Sequence, residues 1–247
     1  MLDGYPLRKY TWKDWLFMAL SSNLILQLVA AFVASFLIGM FISNITVETI
    51  NQVAIYGTVY GTIASLPLTL LVVQWLKIPL LNRRQMSKEK SFILRGLTKD
   101  DWKFLLKYIP LSFILYTLGS QLVAYFFGMS EAANQIAIEG LFDYVPLWAM
   151  FAMIVVVAPI VEELLFRGII LFPGDRLETT WVRTIVSAVL FGLIHGPTDI
   201  FTAYSYIGMG FIFAYASKRT KTIEAAMVYH AVYNLLGFFQ IVYFAQA

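Results

Sequence analysis

The chain is expected to be an all-α, polytopic transmembrane helix bundle of about seven spans with its N-terminus inside. Three observations predict this. Hydrophobic residues make up 60% of the 247 and charged residues only 13%, against roughly half and a quarter in soluble domains. Mean hydropathy is +0.73, and the apolar runs are long enough for helices crossing about 30 Å of hydrocarbon, without the period-two alternation of a barrel strand. The basic residues segregate along the chain as topology demands. Too few polar residues are present to coat a soluble fold, which excludes an ordinary soluble enzyme, a disordered chain and a coiled coil.

Seven apolar segments follow in order: 15–43, 53–76, 104–127, 145–172, 181–195, 201–216 and 223–244. The first four are unbroken. The fifth and sixth are short and separated by His195, Gly196, Pro197 and Asp199. Residues 1–130 carry three spans and a basic cytoplasmic loop at 77–101. Residues 140–247 form a four-span core, and the whole reads as one integral membrane domain without internal repeats. The first apolar run is far longer than a signal-peptide core, so no cleaved signal is expected.

Positive charge tests the span count, because Lys and Arg concentrate in cytoplasmic loops. Arg8, Lys9 and Lys13 precede the first span, and nine basic residues from Lys77 to Lys107 separate the second and third. Arg167, Arg176 and Arg183 flank the turn after the fourth, and Lys218, Arg219 and Lys221 that after the sixth. Those are all eighteen Lys and Arg. The alternate loops 44–52, 128–144 and 196–200 hold none. Net charge of +3 and a pI near 9.0 therefore report orientation in a lipid bilayer, and no nucleic-acid partner is expected. With no cysteine in the chain, disulfides, thiolate metal sites and cysteine nucleophiles are excluded.

Ionisable groups at membrane depth are costly and face the bundle interior or a water-filled cavity. Glu162 and Glu163 lie in VAPIVEELLFRG, His195 in FGLIHG and His230 in YHAVYN. Glu163 with Arg167, Phe191 with His195, and His230 with Asn234 are each four apart and share a helical face. Glu162 points about 100° away from Glu163, so the two carboxylates need not do the same work. At 1.5 Å per residue, Glu162, His195, His230 and Asn234 fall at overlapping depths of roughly 10–20 Å from the inner ends of their spans. One cluster opening to the cytoplasmic side is expected. Pro159 favours a kink just before the glutamates. Gly192 with Gly196, and Gly208 with Gly210, are expected to allow close helix approach.

A carboxylate, two imidazoles and a carboxamide suit hydrolysis of an amide by activated water. Glu162, His195 and His230 could equally hold a zinc ion with an open position, and the sequence leaves both mechanisms open. EELLFR, FGLIH and HAVYN together resemble the EExxxR, FxxxH and HxxxN motifs of the CPBP (Abi, type II CAAX prenyl endopeptidase) intramembrane proteases, over about residues 145–245. The resemblance implies that Glu162 and His195 activate water and that His230 and Asn234 stabilise the oxyanion. Glu163, Arg167 and Phe191 would be supporting motif residues. It further implies an intramembrane endopeptidase of a bacterial cell membrane acting on a leader or CAAX-like peptide.

Each feature also has a plainer reading. Glu163–Arg167 would serve equally as an ion pair locking the end of a span, His230 with Asn234 as an interhelical clamp, and Phe191 as packing. Asn23, Gln27, Gln74 and Gln121 read as helix–helix contacts, and Asn44-Ile-Thr fits a glycosylation sequon. The competing function is a non-proteolytic scaffold for bacteriocin self-immunity or sensor-kinase modulation, with a bacteriocin or kinase as partner. A proton-coupled transporter is a third class, disfavoured by the absence of a repeat.

Overall fold

The computed structural model describes residues 5–21, 46–81, 96–131 and 133–245. Eight helices occur among them: α1 (Trp12–Ser21), α2 (Val47–Trp75), α3 (Lys99–Phe127), α4 (Ala133–Glu139), α5 (Leu147–Leu171), α6 (Trp181–Ile194), α7 (Ile200–Thr220) and α8 (Glu224–Ala245). The described residues contain no strand. Five helices (α2, α3, α5, α7, and α8 over Glu224–Tyr243) are long and apolar enough to cross a membrane, and α6 is a shorter apolar helix. These match the expected segments to within a few residues at most ends. The first expected span beyond Ser21, the loop centre at 82–95, and Asn23, Gln27 and Asn44 lie outside the described residues.

Caps explain where the helices start. Thr98 and Asp101 form a reciprocal capping box at the head of α3, and Asp199 with Thr202 does the same for α7. In each case a side-chain oxygen takes up one of the first-turn N–H groups that no helical carbonyl can reach. α3 leaves Leu106, Leu115, Leu118 and Leu122 at least 60% exposed, an apolar face suited to acyl chains rather than water. α5 is the opposite: it has the highest hydropathy of the spans and the largest buried share, so it is the central post of the bundle.

Two stretches of α5, Ala152–Val157 and Leu164–Leu171, are wound as wide π turns. The first ends where a short α segment, Ala158–Glu163, begins with Pro159 in its first turn. The Ala158 N–H reaches back five residues to Met153 O. In that register the next donor would serve Ile154 O, but residue 159 is proline and has no N–H. The kink expected from Pro159 is therefore realised as a widened turn that leaves a carbonyl to be satisfied from another helix.

The tightest crossing pairs α6 with α7. A Cβ on Gly192 would come 2.8 Å from Ile207 N, and one on Gly210 2.7 Å from Ala188 O. The two expected small-residue pairs are thus corrected: Gly192 and Gly210 make the close approach. Gly196 has open space around it and adopts φ +64, turning the chain after α6 as a left-handed glycine does. Gly208 meets Tyr116 only at ordinary contact distance.

The amino-terminal segment is tied to the C-terminal end of α5. Arg8 N donates to Gly174 O at 2.9 Å, and Tyr10 Oη donates to Gly168 O at 2.8 Å. The Arg8 guanidinium forks onto both oxygens of buried Asp14 at 2.6 and 2.8 Å and also reaches Leu76 O.

Candidate active site

The site is built where α5, α6 and α8 meet. Glu163 is fully buried and faces Arg167, also 0% exposed, one turn later on α5. Arg167 Nη1 donates to Glu163 Oε1 at 3.1 Å, and Nε lies 3.1 Å from Oε2. Nη2 donates to Gly210 O on α7 at 2.7 Å. The guanidinium carbon sits 4.7 Å from the centre of the Phe191 ring, a cation–π distance. A planar fork with these partners cannot be reproduced by lysine. The pair does lock helices, as its plainer reading holds, but it also meets a histidine.

His230 on α8 directs Nδ1 at Glu163 Oε1, 2.9 Å away. An acceptor-only carboxylate fixes the hydrogen on Nδ1 and turns Nε2 toward the opposite side of the ring. His195, at the C-terminal cap of α6, places Nδ1 2.7 Å from Phe191 O. A carbonyl only accepts, so here too Nδ1 donates and Nε2 is the free nitrogen. Both free nitrogens face one atom. Glu162 Oε2 lies 3.9 Å from His195 Nε2 and 3.9 Å from His230 Nε2. That oxygen is buried and has no hydrogen-bond partner among the described residues.

The two glutamates thus diverge as their 100° separation predicts. Glu163 holds the framework, while Glu162, 16% exposed, faces a cavity of about 390 Å³. Asn234, one turn beyond His230, lines the same cavity. Its Nδ2 donates at 2.9 Å to Ile154 O, the carbonyl orphaned by the π turn and Pro159. The amide has two N–H groups, so one remains. Phe191 packs beneath both imidazoles, with ring centres 4.6 Å from His195 and 5.6 Å from His230.

All seven sequence-predicted residues therefore meet in one place. Sequence reasoning missed Tyr206, stacked on His195 at 4.6 Å, and Phe213, stacked on His230 at 4.5 Å. Both lie on α7, which carries no motif, and nothing in the sequence sets these two apart from its other aromatics.

The lining of the cavity reaches residues of the segment between α3 and α5. It runs through Thr58 and Thr62 to Gln135, Ile138, Leu141 and Ile241. Those last four belong to the end of the bundle without Lys or Arg, and no Lys or Arg lines the cavity. α6 is short, its 14 residues spanning about 21 Å, and the turn after it meets the segment after α3, where Ser130 Oγ donates to Asp199. The Thr198 and Asp199 N–H groups are taken up by Thr202 Oγ1.

The donor types of Glu162, His195 and His230 suit zinc, but their spacing does not. Ligands around a tetrahedral zinc sit roughly 3.4 Å from one another, closer than the 3.9 Å separations here. No group of three or more His, Cys, Asp or Glu able to hold a metal ion occurs among the described residues.

Comparison with known proteins bears on this part of the chain. Residues 144–236 match the family model of the Rce1-like type II CAAX prenyl endopeptidases. A Bacillus subtilis (strain 168) protein named as a membrane peptidase, YdiL, is 36% identical over 113 residues, covering 44% of each chain. The membrane-embedded CAAX protease MroQ of Staphylococcus aureus (strain USA300) is 24% identical over 147 residues, 55% of this chain and 58% of that one. The Lactococcus lactis protein YbdI is 31% identical over 94 residues, 38% of this chain and 50% of that one. The chain spans about half the length of the curated relatives it matches. No solved structure matches it. The resemblance carried by the three motifs is thereby upheld over α5 to α8.

Proposed function

We propose that the chain is an intramembrane endopeptidase that hydrolyses a peptide bond of a membrane-associated substrate, of leader or CAAX-like kind, by glutamate- and histidine-activated water. The observation that carries this reading is the convergence of two imidazole Nε2 atoms on one unpartnered oxygen of Glu162, in the wall of a largely apolar cavity. The match of residues 144–236 to the Rce1-like family model and the peptidase and protease names of YdiL and MroQ support it.

In this reading Glu162 takes a proton from a water held between its Oε2 and His195 Nε2, and the water oxygen adds to the scissile carbonyl carbon. The Glu162 carboxyl then delivers that proton to the departing amide nitrogen as the C–N bond breaks. The remaining Asn234 N–H and the His230 Nε2, when protonated, donate to the oxyanion. Glu163 orients His230 and offsets the positive charge its ring then carries, as a carboxylate behind a catalytic imidazole does. No step runs through a metal ion.

The test uses purified protein in liposomes with a library of synthetic apolar peptides in water enriched in oxygen-18. Mass spectrometry should find new carboxyl termini carrying the label with wild type and not with Glu162→Gln or His195→Ala at equal expression. Equal cleavage by the variants would overturn the reading. An intact peptide pool from a protein that still confers a bacteriocin-immunity or kinase phenotype would favour the scaffold.

A further inference from the structure

At the basic end of the bundle, far from Glu162, a second cavity of about 330 Å³ lies where α7 ends beside the segment leading into α6. That volume falls within the range of about 300–1,000 Å³ usual for small-ligand sites. Its rim carries Lys218, Arg219 and Lys221, opposed by one carboxylate, Glu178. Glu178 is already engaged, its Oε1 accepting from Lys221 Nζ at 2.7 Å. Lys218 Nζ donates to Thr179 O at 2.7 Å and stands 4.9 Å over the Trp181 ring. Two of its N–H groups remain. The Arg219 guanidinium lies 5.7 Å over Phe104. Among the described residues neither Lys218 nor Arg219 has a carboxylate within ion-pairing distance, so the rim holds two uncompensated cations.

The wall beneath this rim is aromatic. Trp181 stacks on Tyr215 at 6.2 Å and on Phe211 at 6.4 Å, with rings within 20° of parallel. Tyr215 and Phe211 are one turn apart on α7, so the stripe runs about 6 Å from the cationic rim toward the bilayer. Phe211 and Trp181 are both substantially exposed. A water-soluble anion would use the rim and leave the stripe wet. A phosphodiester with an attached acyl chain matches both, with the headgroup on the cations and the chain along the rings.

We infer that this cavity is a binding site for a single anionic phospholipid, with Lys218 and Arg219 holding the phosphate and the Trp181–Tyr215–Phe211 stripe seating an acyl chain. The shared chemistry with a free phosphate ion is separated by experiment. The protein is reconstituted in phosphatidylcholine nanodiscs with 20 mol% dioleoylphosphatidylglycerol, released, and its bound lipid read by native mass spectrometry. One retained phosphatidylglycerol per chain is expected, undiminished by 20 mM inorganic phosphate.

Removing a cation near a membrane surface weakens anionic-lipid attraction about fivefold, so Lys218→Gln with Arg219→Gln should lower retention roughly 25-fold. The exchange Lys218→Arg with Arg219→Lys, which keeps both charges, should retain the lipid and guards against a folding defect. Lys9→Gln with Lys13→Gln, elsewhere on the basic end, should leave retention unchanged. Displacement by inorganic phosphate, equal retention of phosphatidylcholine, or equal loss in the Lys9/Lys13 variant would each overturn the proposal.

Discussion

Glu163 Oε1 lies 2.9 Å from His230 Nδ1 while its other oxygen meets Arg167 Nε at 3.1 Å. One buried carboxylate therefore joins the helix-locking ion pair to an imidazole at the cavity. Its two roles separate in different substitutions. Glu163→Gln keeps the shape but offers His230 an amide that can also donate, allowing the wrong tautomer. Peptide cleavage should fall roughly 10²- to 10⁴-fold, and the buried Arg167 cation left without its carboxylate should also cost stability. Arg167→Met strands the carboxylate in the core and should cost about 3–5 kcal/mol of stability. Thermal unfolding in detergent gives the folded fraction of each variant, and cleavage compared at matched folded fraction isolates the positioning role; no larger loss in Glu163→Gln than in Arg167→Met would remove it.

Asn234 is asked both to satisfy Ile154 O and to face the cavity. Asn234→Ala should lower stability by about 1–2 kcal/mol and lower activity as well. Pro159→Ala supplies the N–H that Ile154 O lacks. Added to Asn234→Ala, it should recover part of the stability and none of the cleavage. Recovery of both would mean that Asn234 acts only through the backbone.

Much of this was legible beforehand, and the reasons differ by feature. Helix ends followed from length and hydropathy, because lipid imposes a minimum apolar run. The meeting of Glu162, His195, His230 and Asn234 followed from helical spacing and the cost of polar groups at depth. The π turns of α5 did not, since an i to i+5 register leaves no mark in hydropathy and Pro159 announces only a lost donor. Gly192 and Gly210 could not be told from Gly196 and Gly208, because small residues serve close packing and left-handed turns alike. The depths of Glu162, His195, His230 and Asn234 predict that they meet but not which end their cavity faces, since all four fall near the middle of their spans.

The α6–α7 crossing makes a graded prediction. Gly192→Ala and Gly210→Ala drive a methyl against backbone and should each cost about 1–3 kcal/mol. Gly208→Ala meets Tyr116 only at 3.6 Å, and Gly237→Ala meets nothing within 4 Å, so both should fold as wild type. Because Gly210 O also accepts from Arg167, Gly210→Ala should reduce cleavage more than Gly192→Ala at matched stability. Thermal melts of the four variants check the order.

Asp14 sets an acid limit on the amino-terminal tie. Burial pushes its carboxyl up, but the Arg8 fork and the Thr11 N–H and hydroxyl outweigh this and hold it below the usual carboxylate range. A depressed folded-state value means stability that is full above the unfolded value, about 3.9, and lost as pH falls through the lower folded one. Wild type should keep this contribution down to about pH 4 and lose it below. Asp14→Asn should be less stable at neutral pH and converge on wild type in acid. Parallel curves at all pH values would assign the tie to packing instead.

The cavity and the charges together predict where substrate enters. The lining reaches Gln135 and Ile138 at the base-free end, whereas the positive-inside rule puts the basic ends in the cytoplasm. Substrate should therefore approach Glu162 from the side opposite Lys218. The chain has no cysteine, so single cysteines report cleanly. Gln135→Cys should react with a membrane-impermeant maleimide added to intact cells, and Lys221→Cys only after the membrane is opened. A bulky adduct at residue 135 should block cleavage, while the same adduct at 221 should not. Labelling of residue 221 from outside would invert the topology. Unimpaired cleavage with residue 135 modified would instead move the entrance away from α4.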